Sequence, residues 1–370
     1  MKLRNSSILI SVLAMAGTAN AAEVFNKDQT TLDLYGEVQG MHYQSKDESN
    51  QGDRSHARLG LRGNTQINSE LSAYGRWEYE AKLNNAEAGD GNGQHTRLGY
   101  AGLKFGTEGG TFDYGRNYGV MHDVAAMTDV LPEFGGDSFE TPDSFMTHRG
   151  TGMATYRNDN FFGLVEGLHF ALQFQGRNDK TGSNRNLLGA NGDGYGMSLS
   201  YDITDTLSAA AAFSSSRLTA GQKQHLNIEG DRANSYAAGL KYDDEALYLA
   251  AIYNQSYHMT RIGNGAAIDG VPAFASKSEN LEVVAKYNFD FGLTPMVAFV
   301  QSTGKATAFD GQTVSGALKK YVAVGTNYAF NKNISAFALY QFNLIKNSEA
   351  DKAIGIATDD IMAVGMLYQF

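Results

Sequence analysis

From residue 30 to the last residue, apolar and polar side chains alternate with a period of two, in sixteen separate short segments. They centre near residues 37, 60, 76, 100, 113, 154, 172, 198, 212, 238, 252, 284, 298, 324, 339 and 364. In "ELSAYGRWEYEAKL" one set is Leu71, Ala73, Gly75, Trp77, Tyr79 and Ala81, and the other is Ser72, Tyr74, Arg76, Glu78, Glu80 and Lys82. In "GLHFALQFQGR" Leu168, Phe170, Leu172 and Phe174 alternate with His169, Gln173, Gln175 and Arg177. Alternation over four to eight or more residues is the mark of a strand with two unlike faces. After residue 21 no apolar run is long enough for a transmembrane helix.

The two faces decide between all-β architectures. The set opposite the apolar one carries Glu37, Arg58, Arg76, Glu78, Arg97, Arg149 and Arg157. So many charges are intolerable in the dry core of a soluble sandwich, and no fixed period with signature residues marks a propeller. Connections alternate between tight turns ("NSE", "ITDT", "NKN") and long glycine-rich polar segments ("SKDESNQGDRS", "NNAEAGDGNGQ", "RNDKTGSNRNLLGANGD", "RIGNGAAIDGVPAFASKS"). That asymmetry belongs to a barrel in an outer membrane, closed so that lipid meets no unpaired backbone. The expectation is an all-β, 16-stranded antiparallel transmembrane β-barrel with a hydrated bore.

The first 21 residues read as a signal peptide. Lys2 and Arg4 precede the apolar stretch Ile8–Ala16, and Ala19-Asn20-Ala21 supplies a small-x-small cleavage pattern. Residues 22–370 form one barrel domain with 28 basic and 40 acidic residues, a net charge of −12. That balance argues against nucleic acid as a partner. The absence of cysteine excludes thiolate catalysis and thiolate metal sites.

One stretch breaks the rhythm. Residues 117–148 hold two of only four prolines, Pro132 and Pro142, together with Asp123, Asp129, Glu133, Asp137 and Asp143. No strand pattern fits them.

The segments "DLYGEVQGMHY", "RLGLRGNTQI", "YGRWEYE", "TRLGYAGLKF", "FDYGRNYGV", "LPEFGGD", "ATYRNDNFFG", "LTPMVAFVQS" and "VGMLYQF" together resemble the trimeric general diffusion porins of Gram-negative outer membranes. The resemblance implies that 117–148 is the third external loop, folded inward to narrow the channel. It implies that Arg58, Arg97 and Arg149 form a basic wall, with Asp129 and Glu133 opposite and Asp137 near the loop's far end. A transverse field would then orient hydrated solutes in a narrow aqueous gap. This chain carries Glu37 in "LYGEVQG" where such porins often have lysine, which predicts a mild preference for cations. The resemblance further implies a homotrimer, a subunit latch between Glu87 and Arg116, and a terminal Phe370 read by the barrel assembly machinery. Its setting would be outer-membrane lipid and lipopolysaccharide, and its cargo small hydrophilic solutes and ions.

Other chemistry finds little support. The eight histidines lack the i,i+4 spacing of a helical metal site, and "GDGNG" lacks the ligand register of a calcium loop, so no metal or cofactor is expected. A barrel hydrolase would need a triad, for which Ser144 and His148 are the only neighbouring pair in the interrupted stretch; an enzyme is not expected. A substrate-specific channel would line its path with an ordered aromatic ladder, and none is evident.

Overall fold

A computed structural model describes residues 21–87, 93–179, 185–226, 228, 230–263, 273–307, 313–346, 351 and 355–370. All but the last residue of the expected leader lies outside them, as does most of "GDGNG".

Sixteen strands make the wall: β1 (Thr30–Ser45), β2 (His56–Asn68), β3 (Leu71–Lys82), β4 (His95–Phe105), β5 (Thr111–Tyr118), β6 (Arg149–Asn158), β7 (Leu168–Gln175), β8 (Gly194–Asp202), β9 (Leu207–Arg217), β10 (Arg232–Asp243), β11 (Leu247–Tyr257), β12 (Lys277–Tyr287), β13 (Leu293–Thr307), β14 (Thr313–Ala329), β15 (Ile334–Asn343) and β16 (Ile361–Gln369). Each of the sixteen expected segment centres falls inside one of these strands. Every strand pairs antiparallel with its neighbours in sequence, and β16 pairs back onto β1, so the sheet closes. Closure leaves no edge exposed to lipid.

The two chain ends share the closing position. The arm Ala22–Lys27 pairs with the first half of β1, and β16 pairs with the second half. Where they meet, Phe370 and Gly36 exchange both backbone hydrogen bonds at 3.0 Å. The Phe370 ring lies against Gly36, where a Cβ would sit 2.8 Å from it and 2.6 Å from the Arg58 carbonyl oxygen. Only glycine allows that approach.

Strand faces follow the sequence period. Val38, Leu172, Phe174, Tyr195, Met197, Val283 and Met366 point outward and are exposed, whereas Tyr35, Gln39, Glu78, Gln173 and Glu282 point inward and are buried or nearly so. At the turn end the ring pairs Tyr287–Phe289, Phe289–Phe291, Tyr328–Phe330 and Tyr368–Phe370 form part of an outward aromatic belt. Such belts sit at a membrane–water boundary.

The connection 119–148 does not project outward. Met121, Val124, Ala125, Met127, Leu131 and Phe139 pack against inward residues of β9–β16, among them Ala210, Ala237, Ile252, Val284, Ala298, Ala323 and Leu339. Alanine is frequent on this part of the inner wall, and its small side chain makes room for the segment. The observed stretch begins two residues later than the sequence suggested, because Asn117 and Tyr118 still belong to β5.

Candidate functional site

The inward segment is fixed to the wall at several points around the barrel. A helical turn, α1 (His122–Ala125), opens it. Asp123 accepts from Arg157 on β6 at 2.8 Å and from Ser198 on β8. The Val120 amide donates to Gln173 on β7 at 3.0 Å, and Tyr248 on β11 donates to the Met127 carbonyl at 2.7 Å. Glu282, on β12 and only 1% exposed, accepts from the Thr128 hydroxyl and, at 2.7 Å, from the Ser138 amide. Irregular backbone is tolerated at membrane depth only when its polar groups are satisfied in this way.

The sharp reversal in the segment lies at Phe134-Gly135-Gly136, with φ of +63°, +80° and +64°. Two glycines supply most of a conformation that L side chains resist. The turn is held by Tyr321 on β14, which accepts from the Gly135 amide at 2.8 Å and donates to Asp137 at 2.7 Å.

On the opposite wall, basic and acidic residues alternate by register. Glu37, Arg58 and Glu80 are directly opposed on β1, β2 and β3. Arg58 contacts Glu37 at 2.6 Å and Glu80 at 2.7 Å. Arg97 reaches Glu78 at 2.7 Å and Glu80 at 3.1 Å, next to a bulge between Glu78 and Tyr79. Arg76 completes the row at 2.9 Å from Glu78 and donates to the Tyr35 hydroxyl at 2.7 Å. Three arginines thus face three carboxylates. Arg149 stands apart: its guanidinium lies 5.8 Å from the Tyr118 ring centroid and its buried Nε has no hydrogen-bond partner.

The loop acids have different fates. Asp137 is engaged by Lys319 on β14 at 2.6 Å, so it faces the nearby wall and its own cation. Glu133 accepts from Tyr43 on β1. Burial pushes its carboxyl upward, against that hydrogen bond. Desolvation inside the narrowed lumen, with the neighbouring Glu140, pushes Asp129 up to about 6, although its side chain is exposed to the passage. Asp129, Glu133 and Asp137 line an open lumenal cavity of about 740 Å³ together with Tyr43, Lys319 and Tyr321; Arg58, Arg97 and Arg149 do not border it.

A segment folded into a closed sixteen-stranded barrel, charged on both of its sides, narrows a water-filled passage. A family profile described as Gram-negative porin matches residues 27–370. The chain belongs to that porin family. Full-length similarity runs to outer membrane protein F of Serratia marcescens at 50% identity and outer membrane porin C of Enterobacter cloacae at 49%, each alignment covering all of both chains. Among solved structures, an OmpF of Salmonella typhi in complex with daunomycin matches with a TM-score of 0.84 and 42% identity, over 94% of this chain and all of that one. An anion-selective porin from Comamonas acidovorans, at 15% identity and TM-score 0.64, shares the fold.

The porin is therefore an outer-membrane channel for passive diffusion of small hydrophilic solutes, and not an enzyme. The Ser144 hydroxyl donates to the Met259 carbonyl at 3.4 Å, and His148 packs its ring against Tyr118 and His122. Arg116 has a partner within its own chain, Asp143, at 2.7 and 3.0 Å, while Glu87 is exposed on the β3–β4 connection.

Several residues of this constriction were not singled out in the sequence. Glu282, Tyr43, Lys319 and Tyr321 hold the loop, yet on an inward face where polar residues are ordinary nothing marks them. Glu78 and Glu80 were visible as inward charges, but their pairing with Arg97 depends on the bulge. Glu140 carries no mark in the sequence; it bonds His122 at 2.8 Å across eighteen residues of irregular chain.

Proposed function

We propose that this porin has a mild preference for cations, set by Glu37, Arg58, Arg97, Arg149, Asp129, Glu133 and Asp137. The carrying observation is that Arg58 and Arg97 are ion-paired with carboxylates of their own wall, Glu37 among them. The row of Arg58, Arg76 and Arg97 against Glu37, Glu78 and Glu80 is balanced. So are Arg157–Asp123, Lys319–Asp137 and His122–Glu140. Arg149 then remains against Asp129 and Glu133, a net charge of −1 among these named groups of the constriction. One uncompensated unit in water gives a weak preference.

The test is the reversal potential of the reconstituted protein in a planar bilayer under a salt gradient. A sign corresponding to cation preference supports the reading, and the opposite sign removes it while leaving the barrel untouched.

The assembly we infer is a homotrimer, delivered after cleavage of residues 1–21 and recognised by the barrel assembly machinery through Phe370. We infer that Glu87, exposed on the β3–β4 connection, reaches a neighbouring copy in a lipopolysaccharide-bearing membrane. Because Asp143 already occupies Arg116, a partner's Glu87 would join that pair rather than neutralise a free cation. Conductance falling in three equal steps supports the trimer; single steps contradict it.

A further inference from the structure

We propose that His122, Glu140 and His148 form a binding site for a divalent transition-metal ion of the zinc class, which clips the constriction loop closed. One ligand atom from each of the three lies within 4.8 Å of the others. Tetrahedral zinc with bonds of about 2.0–2.1 Å needs ligand atoms about 3.3 Å apart, a shift supplied by rotation of the Glu140 carboxylate and slight tilts of the two packed rings. His122 Nδ1 and Glu140 Oε1 are already 2.8 Å apart. The ion would replace the proton shared between them.

Two further observations point to a missing partner. Glu140, whose side chain is 4% exposed, has a buried Oε2 with no hydrogen-bond partner, and buried His148 Nδ1 has none either. Buried polar atoms are rarely left so. Tyr118 fixes both rings: it stacks on His122 at 4.1 Å and meets His148 edge-on at 5.4 Å. Rings held in place by neighbours are what a metal site requires.

The donor set selects the ion. Two imidazoles and one carboxylate suit zinc, whereas calcium and magnesium take oxygen cages. A fourth position stays open to water. Arg149, Arg97 and Arg116 near His148 oppose a dication, and the acids Asp129 and Glu282 near Glu140 offset them in part.

The placement gives the ion a structural consequence. His122 lies at the start of the inward segment, Glu140 on its far limb, and His148 where it re-enters the wall at β6. One ion would tie all three together and add its binding free energy to the closed loop. This inference does not depend on the proposed ion selectivity.

The experiment is titration of the refolded, chelator-treated porin with Zn²⁺ by calorimetry, and with Co²⁺ by visible absorption. One saturable site per chain is expected, with the intense bands of tetrahedral Co²⁺. Removing a ligand should weaken binding roughly tenfold or more, in His148→Ala and separately in Glu140→Gln. Heat-modified gel mobility verifies that each variant folds, and Glu140→Gln keeps the test sound if His148→Ala does not. No saturable binding, or binding unchanged in the folded variants, overturns the proposal.

Discussion

Replacing Glu282 with alanine removes one acceptor from two donors of the inward segment, the Thr128 hydroxyl and the Ser138 amide. Hydrogen bonds to a charged group contribute about 1.5–3 kcal/mol each, and a donor left unsatisfied in a buried place costs about 1–3 kcal/mol. Against this, the substitution relieves several kcal/mol of carboxylate desolvation. A net loss of about 2 kcal/mol in the local closing free energy follows, roughly a thirtyfold rise in the open population. Hydrogen exchange reads this directly, because segments open independently of the global fold. Amides on either side of the turn, at 128–133 and 138–139, should exchange about thirtyfold faster in Glu282→Ala, while the β12 and β13 backbone keeps its protection. The turn at 134–136 should change least, since Tyr321 and Lys319 still hold it. Exchange within threefold of the parent protein at 128–133 and 138–139 would refute the anchoring argument.

The remaining predictions concern charge and closure. Glu37→Lys adds two positive units beside Arg58; at about 0.5 kcal/mol per charge over about 8 Å of water, the permeability ratio should move about fivefold toward anions in reversal-potential measurements. An unchanged ratio would place Glu37 outside the ion path. Asp129 is ionised above about 6 and neutral below it, so cation preference should decline as pH falls from 8 to 5. Asp129→Asn should flatten that profile, and a profile of the same steepness would assign the titration to another group. Gly36→Ala drives a methyl group into the Arg58 carbonyl and the Phe370 ring, an overpacking that costs about 1–3 kcal/mol. The temperature at which the folded band disappears in gel electrophoresis should fall; no change would mean that the closing strands shift freely.

The wall was legible because two solvents write it into the chain. Leu172 and Phe174 face lipid while Gln173 and Gln175 face the lumen, and a period of two exposes that difference without any knowledge of pairing. Register is a different matter. Glu37, Arg58 and Glu80 fall opposite one another only after the strands align, and Arg97 reaches Glu78 past a bulge that no alternation announces. A cluster of arginines was therefore readable as residues but not as a neutralised row. The inward segment shows the same limit more strongly. Its acids and prolines mark it as irregular, but Asp137 meeting Lys319, or His122 meeting Glu140, depends on a path with no period at all.

The central claim is a hydrated passage narrowed by residues 119–148. It is tested most directly with single cysteines, since the chain has none of its own. Asp129→Cys and Val364→Cys would each be exposed to a membrane-impermeant, positively charged thiol reagent during single-channel recording. The account predicts stepwise loss of conductance for the cysteine at 129 and none for the one at 364. Unaltered conductance at 129, with modification confirmed by mass, would contradict it.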